Sequence, residues 1–357
     1  MARWLVVALL ALALGCQPSA AGPAPTAAPA AAPAPSGDTW EQVVAAAQQE
    51  GHLTLITNPG HRGVIERATP LFQQEYGIDV EVTYLNGREA TERLLAEVGA
   101  GQVRTDAIVS GDSNIWSVAQ MGVLESYTVP NTAAISDRLR PTIGPDNTYY
   151  PQMLNVYGLV VNTQVIPPER IPRRWADLVD PYYRGKIIVH NPGTTGGGNT
   201  WLAAANEAPG LGRPYLEKIA QQDVIIVQDP AGVEAAVARG ERGVGVPAGG
   251  RSVVTQPGAP LKWVVPEEGV AFSVQTVAIP KQAPRPNAAR VWVNFMLTKQ
   301  VQEWWYDIGH YTPVRTDVDL DTPEYNLANL PLLGGTGYRP PDEAPQSLSL
   351  GKAIFGQ

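Results

Sequence analysis

Short apolar runs alternate with single helix-length segments along this chain, and that alternation leaves few architectures open. Residues 53–57, 78–84 and 106–110 read as strands, with helical segments over 64–76, 88–98 and 113–121. Thr39, with Gln42 three positions on, forms a capping box for a first helix through Gln49, and Gly51 suits the left-handed position beyond it. Pro70 should kink or restart the second helix. Strands separated by single helices make parallel βαβ units. A second series follows, with strands at 186–190, 224–227 and 244–246 and helices at 200–207 and 231–239. Two long β-type segments, 155–162 and 270–279, bracket that second series, and a C-terminal helical pair carries Val291, Phe295, Trp304 and Trp305. The expected fold is α/β: a chain that crosses over, builds a second lobe and returns to finish the first. Lobe 1 takes 38–154 and 280–357, lobe 2 takes 155–279, and the crossing strands make a hinge with a cleft beside it. A chain of 357 residues suits two such lobes, and no repeat of 20–50 residues points to a solenoid or propeller.

The N-terminus reads as an export signal. Arg3 precedes an apolar run from Trp4 to Leu14, then Gly15 and Cys16, and the run is too short to span a bilayer, which takes about 20 residues. Leu12-Ala13-Leu14-Gly15-Cys16 resembles a lipoprotein lipobox, with Ala13 where leucine usually stands; the alternative is an ordinary secretory signal with an incidental cysteine. Residues 17–37 are nearly all Ala and Pro and cannot repay the entropy of ordering, so they read as a tether. The expected layout is a signal over 1–16, a tether over 17–37 and an extracytoplasmic body held to the membrane through lipid on Cys16. The single cysteine excludes an internal disulfide. With 26 Lys+Arg against 34 Asp+Glu, the net charge of −8 argues against nucleic acid as a partner.

In open α/β sheets, ligands bind beyond the carboxyl ends of strands. Those ends carry Asn58, Gly60, His61 and Arg62, then Arg88 and Glu89, then Ser110 and Gly111 in the first lobe. The second lobe offers a loop over 191–199 containing Thr194, Thr195 and Gly196, and another ending at Arg251. Glycine admits backbone N–H groups close to a ligand, and a helix starting after the loop aims its positive end there, so such loops favour an anion. They also serve as ordinary turns and caps. No P-loop ending and no G-x-G-x-x-G opens a βα unit, so a nucleotide site is not expected. No G-x-S-x-G elbow is present, and the histidines at 52, 61, 190 and 310 form no local zinc motif. His61 and His190 follow strands and are placed to face the cleft; Trp116 and Trp201 start helices there. No cofactor and no enzymatic activity are expected.

Several segments taken in order are similar to a known family. They are Leu71-Phe72-Gln73-Gln74-Glu75-Tyr76-Gly77-Ile78-Asp79-Val80, Leu95-Ala96-Glu97 with Thr105-Asp106-Ala107-Ile108, Tyr157-Gly158-Leu159-Val160-Val161-Asn162, Trp175-Ala176-Asp177-Leu178 with Asp180-Pro181-Tyr182-Tyr183, and Ala238-Arg239-Gly240-Glu241. Over about 41–318 the chain resembles the extracytoplasmic solute-binding proteins of ABC importers, in the branch that includes ferric-ion-binding proteins. The resemblance implies a type II periplasmic-binding fold, with two α/β lobes joined by crossing hinge strands, and delivery of a solute to a membrane permease by a monomer. It also implies that Gly193-Thr194-Thr195-Gly196 is the family's anion-binding loop. In the ferric branch an adjacent Tyr pair supplies metal oxygens, and the corresponding stretch here, 244–251, has no tyrosine. Tyr149-Tyr150 and Tyr182-Tyr183 are the substitutes at hand, while His61 and Glu89 fall near the family's histidine and carboxylate ligands. The expected solute is therefore a small organic or oxyanion species such as a carboxylate or phosphonate. Fe(III) is the second choice, and a secreted hydrolase or adhesion lipoprotein comes after it.

If Cys16 carries the lipid, Cys16→Ala leaves the chain unprocessed or released in soluble form. Metabolic labelling with a radioactive fatty acid should then lose its band entirely in the variant.

Overall fold

A capping box opens the first described helix. In the computed structural model, which describes Met1 and residues 39–249, 258–333 and 344–356, Thr39 N donates to Gln42 Oε1 at 2.7 Å and Gln42 N to Thr39 Oγ1 at 3.4 Å. Cys16, the tether and Arg251 lie outside the described residues. Helix α1 (Trp40–Glu50) ends on Gly51, whose φ of 64° is the left-handed value that glycine tolerates best. Three βα units follow: β1 (His52–Thr57) with α2 (Arg62–Tyr76), β2 (Asp79–Tyr84) with α3 (Gly87–Gly99), and β3 (Ala107–Gly111) with α4 (Asp112–Ala119). β1 lies between β2 and β3, parallel to both. Pro70 does not break α2; it sits exposed inside one continuous helix, where water can serve the carbonyl that loses its partner.

The next strand is longer than the sequence suggests. β4 (Tyr149–Asn162) starts six positions before the expected 155, passing Pro151 by a register shift between Pro151 and Met153. A proline lacks the ladder N–H, so it reads as a strand end, and only the bulge lets the strand continue. The second series comprises β5 (Ile187–His190), α5 (Gly197–Glu207), α6 (Gly212–Ala220), β6 (Ile225–Val227), α7 (Pro230–Ala238) and β7 (Val244–Gly249). It is followed by β8 (Leu261–Val264) and β9 (Ala271–Ala278), then α8 (Pro286–Met296), α9 (Lys299–Asp307), β10 (Thr312–Pro313) and α10 (Ala344–Phe355).

The ten strands of the described residues join in one sheet of order β2-β1-β3-β9-β4-β7-β5-β6, with β8 and β10 pairing to β4. β4 and β9 run antiparallel to each other, and β9 runs antiparallel to β3. β5 is parallel to both β6 and β7. Each half therefore has three parallel strands ending together, and β4 belongs to both. Its Leu154 and Val156 enter a core with Leu53, Phe72, Trp292 and Trp305, while its Leu159 and Val161 enter a second with Trp175, Trp201 and Leu216.

Helix α10 falls outside the sequence-based assignment of the C-terminal tail to lobe 1. It packs on α5 and α6, and its Phe355 joins Trp201 in the second core. Half of its residues are apolar, but its central Gly351 reads as a breaker and its sequence does not say which surface they pack on.

Asp106 pins the returning chain to the first half. Fully buried at the start of β3, its carboxylate accepts from Thr54 N at 2.7 Å, Arg285 N at 2.8 Å and Arg285 Nη1 at 2.7 Å. Removing one partner of a buried pair leaves an uncompensated charge and costs about 3–5 kcal/mol. Arg285 keeps partial contact with water, which places this pair toward the lower end. Arg285→Leu should therefore lower the unfolding free energy by roughly 2–4 kcal/mol, read as a drop in the urea midpoint with an unchanged m-value.

Candidate functional site

The two sets of strand ends converge on the middle of β4 and β9. In a strand, alternate side chains share a face. On β9 the half-exposed Ser273 and Gln275 interrupt an otherwise buried run, and on β4 Asn155 and Tyr157 do the same. Asn155 pairs in register with Ser273, and its Nδ2 donates to Ser273 Oγ at 3.4 Å. These four polar side chains make a floor between the halves.

From the first half, Gly87 opens α3 against Ser110 and Asn114: a Cβ on it would lie 2.7 Å from Ser110 Oγ and 2.5 Å from Asn114 Nδ2. Ser110 is buried, with its Oγ accepting from Asn114 Nδ2 at 3.3 Å. Gly111 caps α4 beside Gln275 Nε2. Asp112, at the first position of α4, accepts from Ser113 N at 2.9 Å, and among the described residues no cation pairs with it. Burial pushes its carboxyl up to about 6. Asn58 Oδ1 accepts from Gly60 N at 2.8 Å, and Gly60 lies against the Tyr311 hydroxyl.

From the second half, the loop between β5 and α5 presents Thr194 and Thr195 as exposed hydroxyls. Thr194 Oγ1 donates to Asn191 O at 3.3 Å, and Gly193 N donates to Asn191 Oδ1 at 2.8 Å. His190 Nδ1 accepts from Gly198 N at 3.0 Å, which fixes a neutral imidazole with its proton on Nε2. Burial lowers the His190 pKa, against the opposing pull of the Gln228 carbonyl and the Asp229 charge. The amides of Thr195, Gly196 and Gly197 have no hydrogen-bond partner among the described residues. Gly197 lies under the Tyr157 ring, where a Cβ would come within 2.7 Å of Cε1.

Tyr157 links the halves. Burial raises its phenol pKa, the Asp112 charge adds to the rise, and a hydrogen bond with Ser273 opposes it. Tyr311 is pushed up to about 12 by burial and by Tyr157. Both phenols stay protonated at neutral pH and can donate to an anion or accept from a cation.

The expected residues separate into those that face this space and those that do not. Gly111 lies beside Gln275 of the floor, Ser110 beside Gly87, and Asn58 and Gly60 beside Tyr311, while Thr194, Thr195 and Gly196 precede the Gly197 that meets Tyr157. Arg62 is exposed, paired with Glu66 at 3.3 Å and stacked over the Tyr84 ring. Arg88 is exposed and paired with Glu92 at 2.8 Å. Glu89 closes the capping box of α3 by accepting from Asn86 N. His61 is buried, with Nδ1 2.7 Å from Thr57 Oγ1 and its ring wedged between Trp305 and Tyr311. Trp201 is core. Tyr149 and Tyr150 are core as well, the Tyr150 hydroxyl donating to Tyr127 O at 2.7 Å, and Tyr183 OH donates to Arg170 O at 2.6 Å. Asp112, Asn114, Tyr157, Ser273, Gln275 and Tyr311 were not singled out from sequence. The legible signal for three of them, Tyr157, Ser273 and Gln275, was polar residues at alternate positions of two apolar strands.

Residues 108–332 match the family model of the bacterial extracellular solute-binding proteins, more than half of the chain. The chain belongs to that family, and it is the solute-binding component of an ABC importer. A periplasmic protein of Salmonella typhimurium LT2, assigned as 2-aminoethylphosphonate-binding, is 24% identical over 291 residues, covering 78% of this chain and 82% of its own. The fold is shared with AfuA of Actinobacillus pleuropneumoniae, solved with fructose-6-phosphate, at a TM-score of 0.68 and 23% identity over 86% of this chain and 99% of that one. Iron-bound HitA of Pseudomonas aeruginosa superposes at 0.70 and 19% identity, covering 85% and 99%. The protein is extracytoplasmic, and among the described residues no helix is long and apolar enough to cross a membrane.

Burial holds the His61 imidazole down at about 3, against 6.5 when unfolded. Between those values the unfolded chain binds the extra proton, so stability falls as the pH drops below 6.5, at ~1.4 kcal/mol per unit. From pH 7 to pH 5 the loss assigned to His61 is ~2 kcal/mol. Urea midpoints at the two pH values should show this difference in the wild type and lose it in His61→Gln.

Proposed function

We propose that this protein captures a small solute with a phosphonate, phosphate or carboxylate head and an amino group, and hands it to a membrane permease. The observation that carries the reading is the loop over 193–197. It offers the amides of Thr195, Gly196 and Gly197 and the hydroxyl of Thr195 at the start of α5, with the Thr194 hydroxyl able to join them by turning from Asn191 O. Neutral donors at a helix start favour an anion. Across the floor, the Asp112 carboxylate is suited to an ammonium group, and protonated Tyr157 and Tyr311 serve either end. An aminophosphonate carries both charges, and the relative assigned as 2-aminoethylphosphonate-binding supports that class. The body is held at the membrane through Cys16 and acts as a monomer.

Fe(III) remains the second reading, supported by the fold shared with iron-bound HitA. Against it stand the engagements of its donors: His61 with Thr57, Glu89 in a helix cap, and both tyrosine pairs in the packing. Among the described residues no three His, Cys, Asp or Glu side chains gather where they could hold a metal ion.

Calorimetry with 2-aminoethylphosphonate, ethylphosphonate and Fe(III) separates the readings. A hydrogen bond to a charged group is worth about 1.5–3 kcal/mol, so Thr194→Val/Thr195→Val should weaken phosphonate binding by roughly one to three orders of magnitude. Asp112→Asn should weaken 2-aminoethylphosphonate about tenfold or more and leave ethylphosphonate nearly unchanged. Tight Fe(III) binding lost in His61→Ala, with no response to any phosphonate, would transfer the assignment to iron.

A further inference from the structure

The solute loop is held from behind by the last helix. Gly351 of α10 is buried, and a Cβ there would lie 2.3 Å from Pro192 O and 2.9 Å from Gly193 N, so helix backbone rests directly on loop backbone. One turn earlier, Ser347 Oγ donates to Asn199 Oδ1 at 2.8 Å. Asn199 is buried and passes the contact on, its Nδ2 donating to Pro192 O at 2.9 Å. One turn later, Phe355 packs against Trp201, anchoring the far end of α10 to α5. The cleft side of the same loop is held by His190 on Gly198 N and by the Tyr157 ring on Gly197.

Such support is needed because the loop is rich in glycine. Gly193, Gly196, Gly197 and Gly198 fall within six positions, and glycine loses the most backbone freedom on ordering. Donors that converge on a ligand only after being ordered bind more weakly by that cost. Ser347 directs its proton to Asn199 and Gly351 has no side chain, so neither offers a group to the solute.

We propose that α10 is a brace: Gly351 and Ser347 are positioning residues that, through Pro192 and Asn199, set the convergence of the Thr195–Gly197 amides and so the affinity for solute. The inference rests on the assignment of this loop to the anionic head and goes beyond it by extending control of the site to a helix more than 140 residues further along the chain.

The test uses the full chain and two readouts. Hydrogen exchange at the amides of residues 193–198, measured without solute, should quicken at least tenfold in Gly351→Val and about threefold in Ser347→Ala. Calorimetry with 2-aminoethylphosphonate should show affinity falling by similar factors, while Gly351→Ala gives a smaller loss than Gly351→Val. In an Asn199→Ala background, Ser347→Ala should have no further effect, which a merely stabilising surface contact would not predict. Should Gly351→Val fail to fold, Ser347→Ala and the double variant carry the same decision. Unchanged loop exchange in the variants would overturn the brace, and so would quickened exchange with unchanged affinity. If the wild type binds no phosphonate at all, the solute assignment fails, and the exchange data by themselves decide whether α10 holds the loop.

Discussion

The pairing of β4 with β9 is the contact on which both halves depend. β9 is wedged between β3 and β4, and its register with β4 runs from Tyr149↔Ala278 to Tyr157↔Ala271. Beyond Tyr157, β4 turns to β7 and β8 for its partners. Buried backbone groups must be paired, so neither half can complete its ladder without these two strands. The same pair sets the chemistry of the floor. A slip of one residue would exchange the faces, sending Tyr157 and Gln275 into the core and Val156 and Val274 toward solvent. Hinge, floor and core are thus three uses of one register.

Much of the architecture was legible because it follows from periodicity. The βαβ units, the Thr39 capping box and the two crossing segments each have a local signature, and the structure contains all of them. What was missed has no local signature. β4 hides its first six residues behind Pro151, and α10 finds its partner only in three dimensions. For the site, the loops were legible as glycine and hydroxyl clusters at strand ends, but the role of each charged residue was not. Arg62, Arg88 and Glu89 stand at the right places in the sequence and turn to neighbours within a turn of helix, since i,i+4 pairs and caps are closer than the cleft. His61 resembles a ligand by position, yet its surroundings of Trp305 and Tyr311 hold it neutral.

The described side of the cleft works largely with neutral donors. In the proposed reading, backbone amides, threonine hydroxyls and protonated tyrosines would bind an anion through direction rather than net charge, without the desolvation cost that a buried cation imposes. Such a site rejects analogues by leaving donors unpaired, which discriminates more sharply than charge attraction in a protein that is itself acidic.

The wedged position of β9 also has a consequence in time. Thr276 on β9 meets Ser110 on β3 across 166 residues of chain. A chain emerging N-terminus first exposes the flank of β3 and one flank of β4 until nearly all of the second half has followed. Contacts of that span form slowly, because loop closure must precede them. The strand that ties the two halves together is the last long strand of the sheet to be supplied.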